Sequence, residues 1–241
     1  SLPSRGLGDV YKRQLHLQGK RALVRVDFNV PLDGAQNVTD DTRIRRAIPT
    51  IQALLDGGAS VVLMSHLGRP KGPSADLSLK HIVPTLSNLL GKAVKFAEDC
   101  VGDKALDVTQ SLQSGEVALL ENLRFHSEEK AGDEFFAGQL AESGDVYVND
   151  AFGTAHRAHA STAVIAKFFP EDKAFGLLMQ GEVQALHKVL SAPAKPLLAI
   201  IGGAKVSSKL SILENLVDRV DKLLSLIHIP EPTRRKRISV A

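Results

Sequence analysis

The chain has 241 residues, 44% apolar and 24% charged, the balance of a soluble globular protein with room for one large domain or one and a half ordinary ones. No run approaches the roughly 20 apolar residues of a membrane-spanning helix and no charged start precedes an apolar stretch as in a secretion signal; the single cysteine, Cys100, excludes an internal disulfide and fits the cytoplasm. The net charge of +3 invites a nucleic-acid reading, but residues 1–14 carry +2 and residues 225–241 carry +3, so the body between them is at −2.

Residues 1–14 are punctuated by Gly and Pro and fit no element, so they are read as a tail foreign to the fold. Arg21–Val26 is a short β-branched run, followed after a turn at Pro31–Gly34 by Asp41-Thr42-Arg43-Ile44, a helix start. Ile44, Ile48, Ile51 and Leu55 then recur at helical spacing until Gly57-Gly58, and Pro49 predicts a kink or restart. Ser60–Met64 is the next strand. Leu79–Leu90 reads as a helix closed by Gly91, Val94–Phe96 as a strand, and Asp103–Leu112 as a helix closed by Gly115. Strand Glu116–Leu120, helix Asp133–Glu142 closed by Gly144, and strand Asp145–Asn149 continue the series. Repeated β-then-α units imply an α/β fold of three layers, a parallel sheet covered by helices on both faces. A helix at Gly181–Leu190 and a linker at Ser191–Pro196 precede strand Leu197–Ile201 and helix Ser207–Val220, the start of an incomplete second α/β lobe. Pro230 and Pro232 interrupt the strand expected next, and residues 225–241 are read as a second foreign tail.

Five apolar runs end directly in polar residues. ALVRV leads to Asp27-Phe28-Asn29, SVVLM to Ser65-His66-Leu67-Gly68-Arg69, EVALL to Glu121-Asn122-Leu123-Arg124, DVYV to Asn149-Asp150 and on to His156-Arg157-Ala158-His159, and LLAII to Gly202-Gly203-Ala204-Lys205. As parallel strands of one sheet they would deliver these segments to one edge, where open α/β sheets bind ligands. Arg43, Arg69, Arg124 and Arg157 with His66, His156 and His159 would make that edge electropositive on an acidic body. Guanidinium groups fork onto carboxylate and phosphate oxygens, so this convergence points to a small anion with more than one acidic group. Asp27 and Asn29, acceptors among donors, suit ligand hydroxyls or the orientation of an Arg. Gly202 to Lys209 follows a strand and opens a helix, so its backbone N–H groups could cradle phosphate. It lacks the Gly-Lys-Ser/Thr ending of the common nucleotide loop. His156 and His159 have no third ligand nearby, and no metal ligand is expected in this chain. Cys100 has no base beside it and is expected to be an inert structural residue.

Together these segments resemble the phosphoglycerate kinase family. The resemblance rests on Arg25-Val26-Asp27-Phe28-Asn29-Val30-Pro31, Asp41-Thr42-Arg43-Ile44, Ser65-His66-Leu67-Gly68-Arg69-Pro70, Glu121-Asn122-Leu123-Arg124-Phe125, Asn149 to His159, and Gly202-Gly203-Ala204-Lys205-Val206, all in the family's order. It covers about residues 15–224. It implies a Rossmann-like lobe at 15–180 that binds 3-phosphoglycerate or 1,3-bisphosphoglycerate, an interlobe helix and hinge at 181–196, and the beginning of a nucleotide lobe at 197–224. It implies phosphoryl transfer between ATP and the carboxylate of 3-phosphoglycerate, giving 1,3-bisphosphoglycerate and ADP. Substrate would contact Asp27, Phe28, Asn29, Arg43, Ser65, His66, Gly68, Arg69, Arg124 and Arg157; nucleotide would contact Gly202, Gly203, Ala204, Lys205 and Lys209. Arg43, Lys205 and Lys209 would face the group in transfer. Magnesium would arrive with ATP or ADP, its carboxylate ligand lying in the part of the nucleotide lobe that follows the family's pattern beyond Leu224. A monomer is expected, with no membrane and no nucleic-acid partner.

Two other readings stay open at this point. The chain could be a non-catalytic phosphoglycerate- or anion-binding module, which the transcript beyond residue 224 would distinguish from a piece of an enzyme inactive by itself. The Arg234–Arg237 run could bind nucleic acid with strong salt dependence, although no aromatic residues interleave it.

Overall fold

The computed structural model describes residues 16–155, 157–191, 195–202 and 220–226. Six segments become strands: β1 (Arg21–Arg25), β2 (Ser60–Met64), β3 (Val94–Phe96), β4 (Val117–Leu119), β5 (Val146–Asn149) and β6 (Lys173–Phe175). They form one sheet in the order β3-β4-β2-β1-β5-β6, with every pairing parallel. Side chains alternate between the faces of a strand, and the core divides accordingly. Val24, Val61, Leu63, Val117 and Val148 pack on one face with α1 (Thr42–Asp56) and α2 (Val83–Leu90). Leu23, Val62, Met64, Ala118 and Tyr147 pack on the other with α3 (Asp103–Gln110) and α5 (Glu134–Ala141), which follows the short α4 (Ser127–Ala131). This is the three-layer α/β arrangement expected from the alternating strand and helix signals.

Several local details differ from the sequence expectation. α1 runs unbroken through Pro49, with Ile44, Ala47, Ile51, Leu54 and Leu55 buried. Pro49 lies on the exposed side, where a carbonyl deprived of its N–H partner can be hydrated, so burial of the opposite face keeps the helix whole. The expected helix over Leu79–Leu90 begins as a 3₁₀ turn, Leu79–Ile82, and becomes α-helical only at Val83. Pro84 lacks an N–H and is suited to a first turn, which places the α-helical start there. The C-terminal stop at Gly91 is as expected: its φ of 66° is left-handed, a conformation that glycine adopts without a Cβ clash. Asp133 is not the first helical residue of α5 but its cap, accepting a hydrogen bond from the Phe136 N–H at 2.7 Å. Helix α6 (Leu177–Ser191) starts four residues before the expected Gly181.

The chain divides into two compact units, residues 1–182 and 183–241, with the division inside α6. The first holds the six-stranded sheet. In the second, β7 (Leu198–Gly202) pairs in parallel with β8 (Lys222–Leu226), and Leu198, Ile200 and Leu224 are exposed. The expected helix at Ser207–Val220 lies outside the described residues except at its last position. Among the described residues, no helix is long and apolar enough to cross a membrane.

The strand order sets the position of the site. From β1 the chain crosses to β2 on one side, and from β5 it crosses to β6 on the other. The loops after β1 and β5 therefore diverge, leaving a crevice at the carboxyl ends of two adjacent strands, the topological switch point of an open α/β sheet.

Candidate functional site

The backbone after β1 is fixed by the loop after β2. The Phe28 N–H donates to Ser65 Oγ at 2.8 Å, and the Gly68 N–H donates to Asn29 Oδ1 at 2.8 Å. Phe28 and Ser65 are fully buried, so they hold the loops rather than present groups to the cleft. Gly68 has φ 64°, the left-handed region. Its carbonyl accepts from Arg124 Nη1 at 2.7 Å, which ties the loop after β4 to the same point. Asn122 completes the junction: Oδ1 accepts from the Leu67 and Arg124 N–H groups, and Nδ2 donates to the Leu67 and Leu77 carbonyls. Three strand-end loops thus form one hydrogen-bonded platform, and a buried amide with all its functions used makes it rigid.

Cationic groups stand on this platform. Arg43, projecting from the first turn of α1, pairs with Asp27 through Nη1 and Oδ2 at 2.6 Å; both remain solvent-accessible. Gly153 approaches so closely that a Cβ there would lie 3.4 Å from the same Asp27 oxygen. A cavity of about 220 Å³ beside this pair is lined by Asp27, Arg43, Arg46, Asp150, Gly153 and Leu178, among others. Arg69 and Arg157 are exposed, and Arg124 is mostly buried. Burial lowers the Arg124 pKa first, and the positive fields of Arg25 and Arg157 add to it, with Arg69 contributing further. The loops therefore gather Arg43, Arg69, Arg124 and Arg157 at one sheet edge.

Arg25, which the sequence presents only as a member of a strand, underlies the site. It is fully buried; its Nε donates to Ser161 Oγ at 2.9 Å, its Nη1 to the Val26 carbonyl, and its Nη2 to His66 Nδ1 at 3.1 Å. Ser161 in turn donates its N–H and hydroxyl to Glu129 at 2.9 and 2.6 Å. Glu129 is 1% exposed and faces His159 Nδ1 at 3.7 Å. The buried guanidinium and carboxylate thus compensate one another through Ser161. A charged residue inside an apolar run was the one signal that marked Arg25. Ser161 and Glu129 carried no comparable signal, because their partners are 136 and 32 residues away along the chain.

This network sets the state of His66. A guanidinium can only donate, so Nδ1 is an acceptor and the proton of the neutral ring sits on Nε2. Burial drives the His66 pKa down to about 2, reinforced by Arg25, Arg124 and Arg43. His66 is consequently a neutral N–H donor throughout the physiological range. Burial likewise lowers the His159 pKa; Glu129 opposes the shift, and Arg124 and Arg157 favour it.

The substrate set expected from sequence, Asp27, Phe28, Asn29, Arg43, Ser65, His66, Gly68, Arg69, Arg124 and Arg157, is carried by the loops after β1, β2, β4 and β5 and by the start of α1. His156 lies outside the described residues. So do Gly203, Ala204, Lys205 and Lys209; Gly202 ends β7 in the second unit. A multiply charged small anion suits a wall of several guanidinium groups and one neutral imidazole donor, with Asp27 the carboxylate among them.

The phosphoglycerate kinase family profile matches residues 12–226. Phosphoglycerate kinase of Aquifex aeolicus is 52% identical over 211 residues, covering 88% of this chain and 53% of that protein. The enzyme of Anaeromyxobacter dehalogenans strain 2CP-C is 56% identical over 210 residues, covering 86% and 53%. Among solved structures, phosphoglycerate kinase from Pyrococcus horikoshii OT3 matches with a TM-score of 0.78 at 34% identity, covering 88% of this chain and 53% of that one. The structure from Coxiella burnetii matches with a TM-score of 0.75 at 40% identity, covering 88% and 52%. The chain spans about half the length of the curated relatives it matches. Over that span it belongs to the phosphoglycerate kinase family.

Proposed function

We propose that this chain supplies the phosphoglycerate-binding wall of a cytoplasmic phosphoglycerate kinase, and that it works with a nucleotide wall of the same kind as its relatives carry. The observation that carries this reading is the set of arginines converging on the β1/β5 crevice around a neutral, Nε2-protonated His66. In the proposed reaction a carboxylate oxygen of 3-phosphoglycerate attacks the γ-phosphorus of ATP. The new P–O bond forms as the bond to the β-phosphate oxygen breaks, releasing ADP and 1,3-bisphosphoglycerate; the reverse path runs through the same arrangement.

Such transfer needs little covalent help, so the wall acts by holding the acid in line and neutralising charge on the equatorial oxygens. Arg69, Arg124, Arg157 and the His66 N–H hold the acidic groups of the triose. Asp27 orients Arg43, which is exposed enough to reach the transferred group, and Asp27 and Asn29 accept from substrate hydroxyl. Gly202 to Lys209 would meet the nucleotide phosphates, with Lys205 and Lys209 countering charge in transfer. The triose-holding residues do not suit Mg²⁺, because Asp27 already pairs with Arg43 and His66, Arg69, Arg124 and Arg157 are cationic or neutral donors. No step of this wall is routed through the metal, which would accompany ATP or ADP on the facing side.

Titration with 3-phosphoglycerate tests the reading. Side-chain NMR signals of Arg43, His66 and Arg157 should move together, and unchanged spectra at millimolar ligand would refute a preformed triose wall. The isolated 241-residue chain should show no measurable ATP-dependent turnover; a rate near that of a full-length relative would refute the division of labour.

A further inference from the structure

A second cluster stands at the β3/β4 edge of the same sheet, apart from the arginine wall. Asp99 and Cys100 lie just beyond β3, and His126 follows the 3₁₀ turn Leu123–Phe125 that continues from β4. β3 and β4 are paired in parallel, which brings these two strand-end segments side by side. One ligand atom from each of Asp99, Cys100 and His126 lies within 4.8 Å of the others. His126 Nε2 and Asp99 Oδ1 are 2.8 Å apart, and the same carboxylate oxygen accepts the Cys100 N–H at 2.7 Å. His126 also lies against Phe136, with ring centroids 5.1 Å apart, so its plane is fixed by packing.

We propose that Asp99, Cys100 and His126 form a binding site for a divalent transition metal of the zinc class. The donor set is one sulfur, one imidazole nitrogen and one carboxylate oxygen, a mixture that favours zinc-like ions over magnesium or calcium, which take oxygen. Tetrahedral ligands at roughly 2.0–2.3 Å from the metal lie about 3.3–3.8 Å from one another, so the three groups need to shift by only about 1 Å.

The surroundings supply what the ligands lack. Asp99 and His126 border a cavity of about 470 Å³ that is also lined by Glu98, Glu121, Ser78 and His81, giving a metal a route in and a water for the fourth position. Glu121 is committed to the Leu79 and Asn122 N–H groups and the Ser78 hydroxyl, so it contributes negative potential rather than a ligand bond. Cys100 forms the closed side, fully buried. On binding, the metal takes the place of the thiol proton: one S–H bond breaks, one S–metal bond forms and one proton is released to solvent. Bound metal would tie the segments after β3 and β4 together and raise the stability of the lobe with the logarithm of free metal above its dissociation constant.

Cobalt(II) titration of the untagged, metal-stripped chain tests the site. Cys100 is the only cysteine, so any thiolate-to-cobalt charge-transfer band originates there. One equivalent of cobalt should produce that band with tetrahedral visible absorption, and zinc should abolish it by displacement. His126→Gln and Asp99→Asn should each weaken binding by roughly tenfold or more, since even outer-shell partners count on that scale. Should His126→Gln not fold by circular dichroism, Asp99→Asn decides, because its amide oxygen can still accept the Cys100 N–H. Absence of the band in the parent chain at stoichiometric cobalt, or an unchanged titration in the folded variants, would overturn the proposal.

Discussion

Lowering the pH should destabilise the first unit through His66 more steeply than through any exposed histidine. The ring is 4% exposed, accepts from Arg25 at 3.1 Å, and takes a proton in the folded state only near pH 2. An unfolded chain protonates the same ring near its ordinary value of about 6.5. Between those limits the unfolded state binds the extra proton, so stability is complete above pH 6.5 and is lost as the pH falls through the window. At pH 4.5 the ring is about two units below its unfolded pKa, a loss of roughly 3 kcal/mol. Asp150, whose carboxyl is raised by burial, acts in the opposite direction at lower pH, and His159 acts in the same direction as His66. The comparison must therefore be differential. Urea unfolding of the parent chain and of His66→Gln, followed by far-ultraviolet circular dichroism between pH 7 and 4.5, isolates the ring. The parent should lose about 3 kcal/mol more than the variant. Equal pH slopes, or an NMR titration of His66 near pH 6.5, would refute the account of the buried donor.

Arg25→Lys keeps a charge but cannot reproduce a fork that reaches Ser161, the Val26 carbonyl and His66 at once. It should cost about 2–4 kcal/mol in urea unfolding, and ¹⁵N shifts of His66 should move from the pure Nε2–H pattern to a tautomer mixture; an unchanged pattern would refute the assignment. Asp150 accepts the Met179 N–H at 3.0 Å, and Thr50 accepts that of Leu177 at 2.9 Å, anchoring the start of α6. A Cβ on Gly176 would collide with the Asp150 carboxylate. Gly176→Ala should therefore destabilise by roughly 2 kcal/mol or more, with much less added cost in an Asp150→Gly background, which removes the Asp150 Cβ as well as its carboxylate; simple additivity of the two losses in a double-mutant cycle would contradict the clash.

What the sequence revealed and what it withheld follow the range of the interactions involved. β2 reads as SVVLM because both its faces are buried, and its five residues were legible with their boundaries. β6, with the residues Lys-Ala-Phe, has an exposed Phe175 and no apolar run; it exists because β5 offers it a parallel edge, which no local pattern encodes. The single turn of π-helix at Ala160–Val164 is equally silent in sequence, yet it contains Ser161, the relay between Arg25 and Glu129. Exposed cations at strand ends were legible because charge following an apolar run is a local signal. The residues that govern those cations were not, because a buried charge is tolerated only through partners brought from distant segments. Arg25 is the instructive case. Placed in a strand it would be the most costly residue of the core, and in the folded lobe it compensates Glu129, fixes the tautomer of His66 and adds to the field that keeps that ring neutral. The arginine wall and its one neutral donor are therefore two faces of the same buried charge.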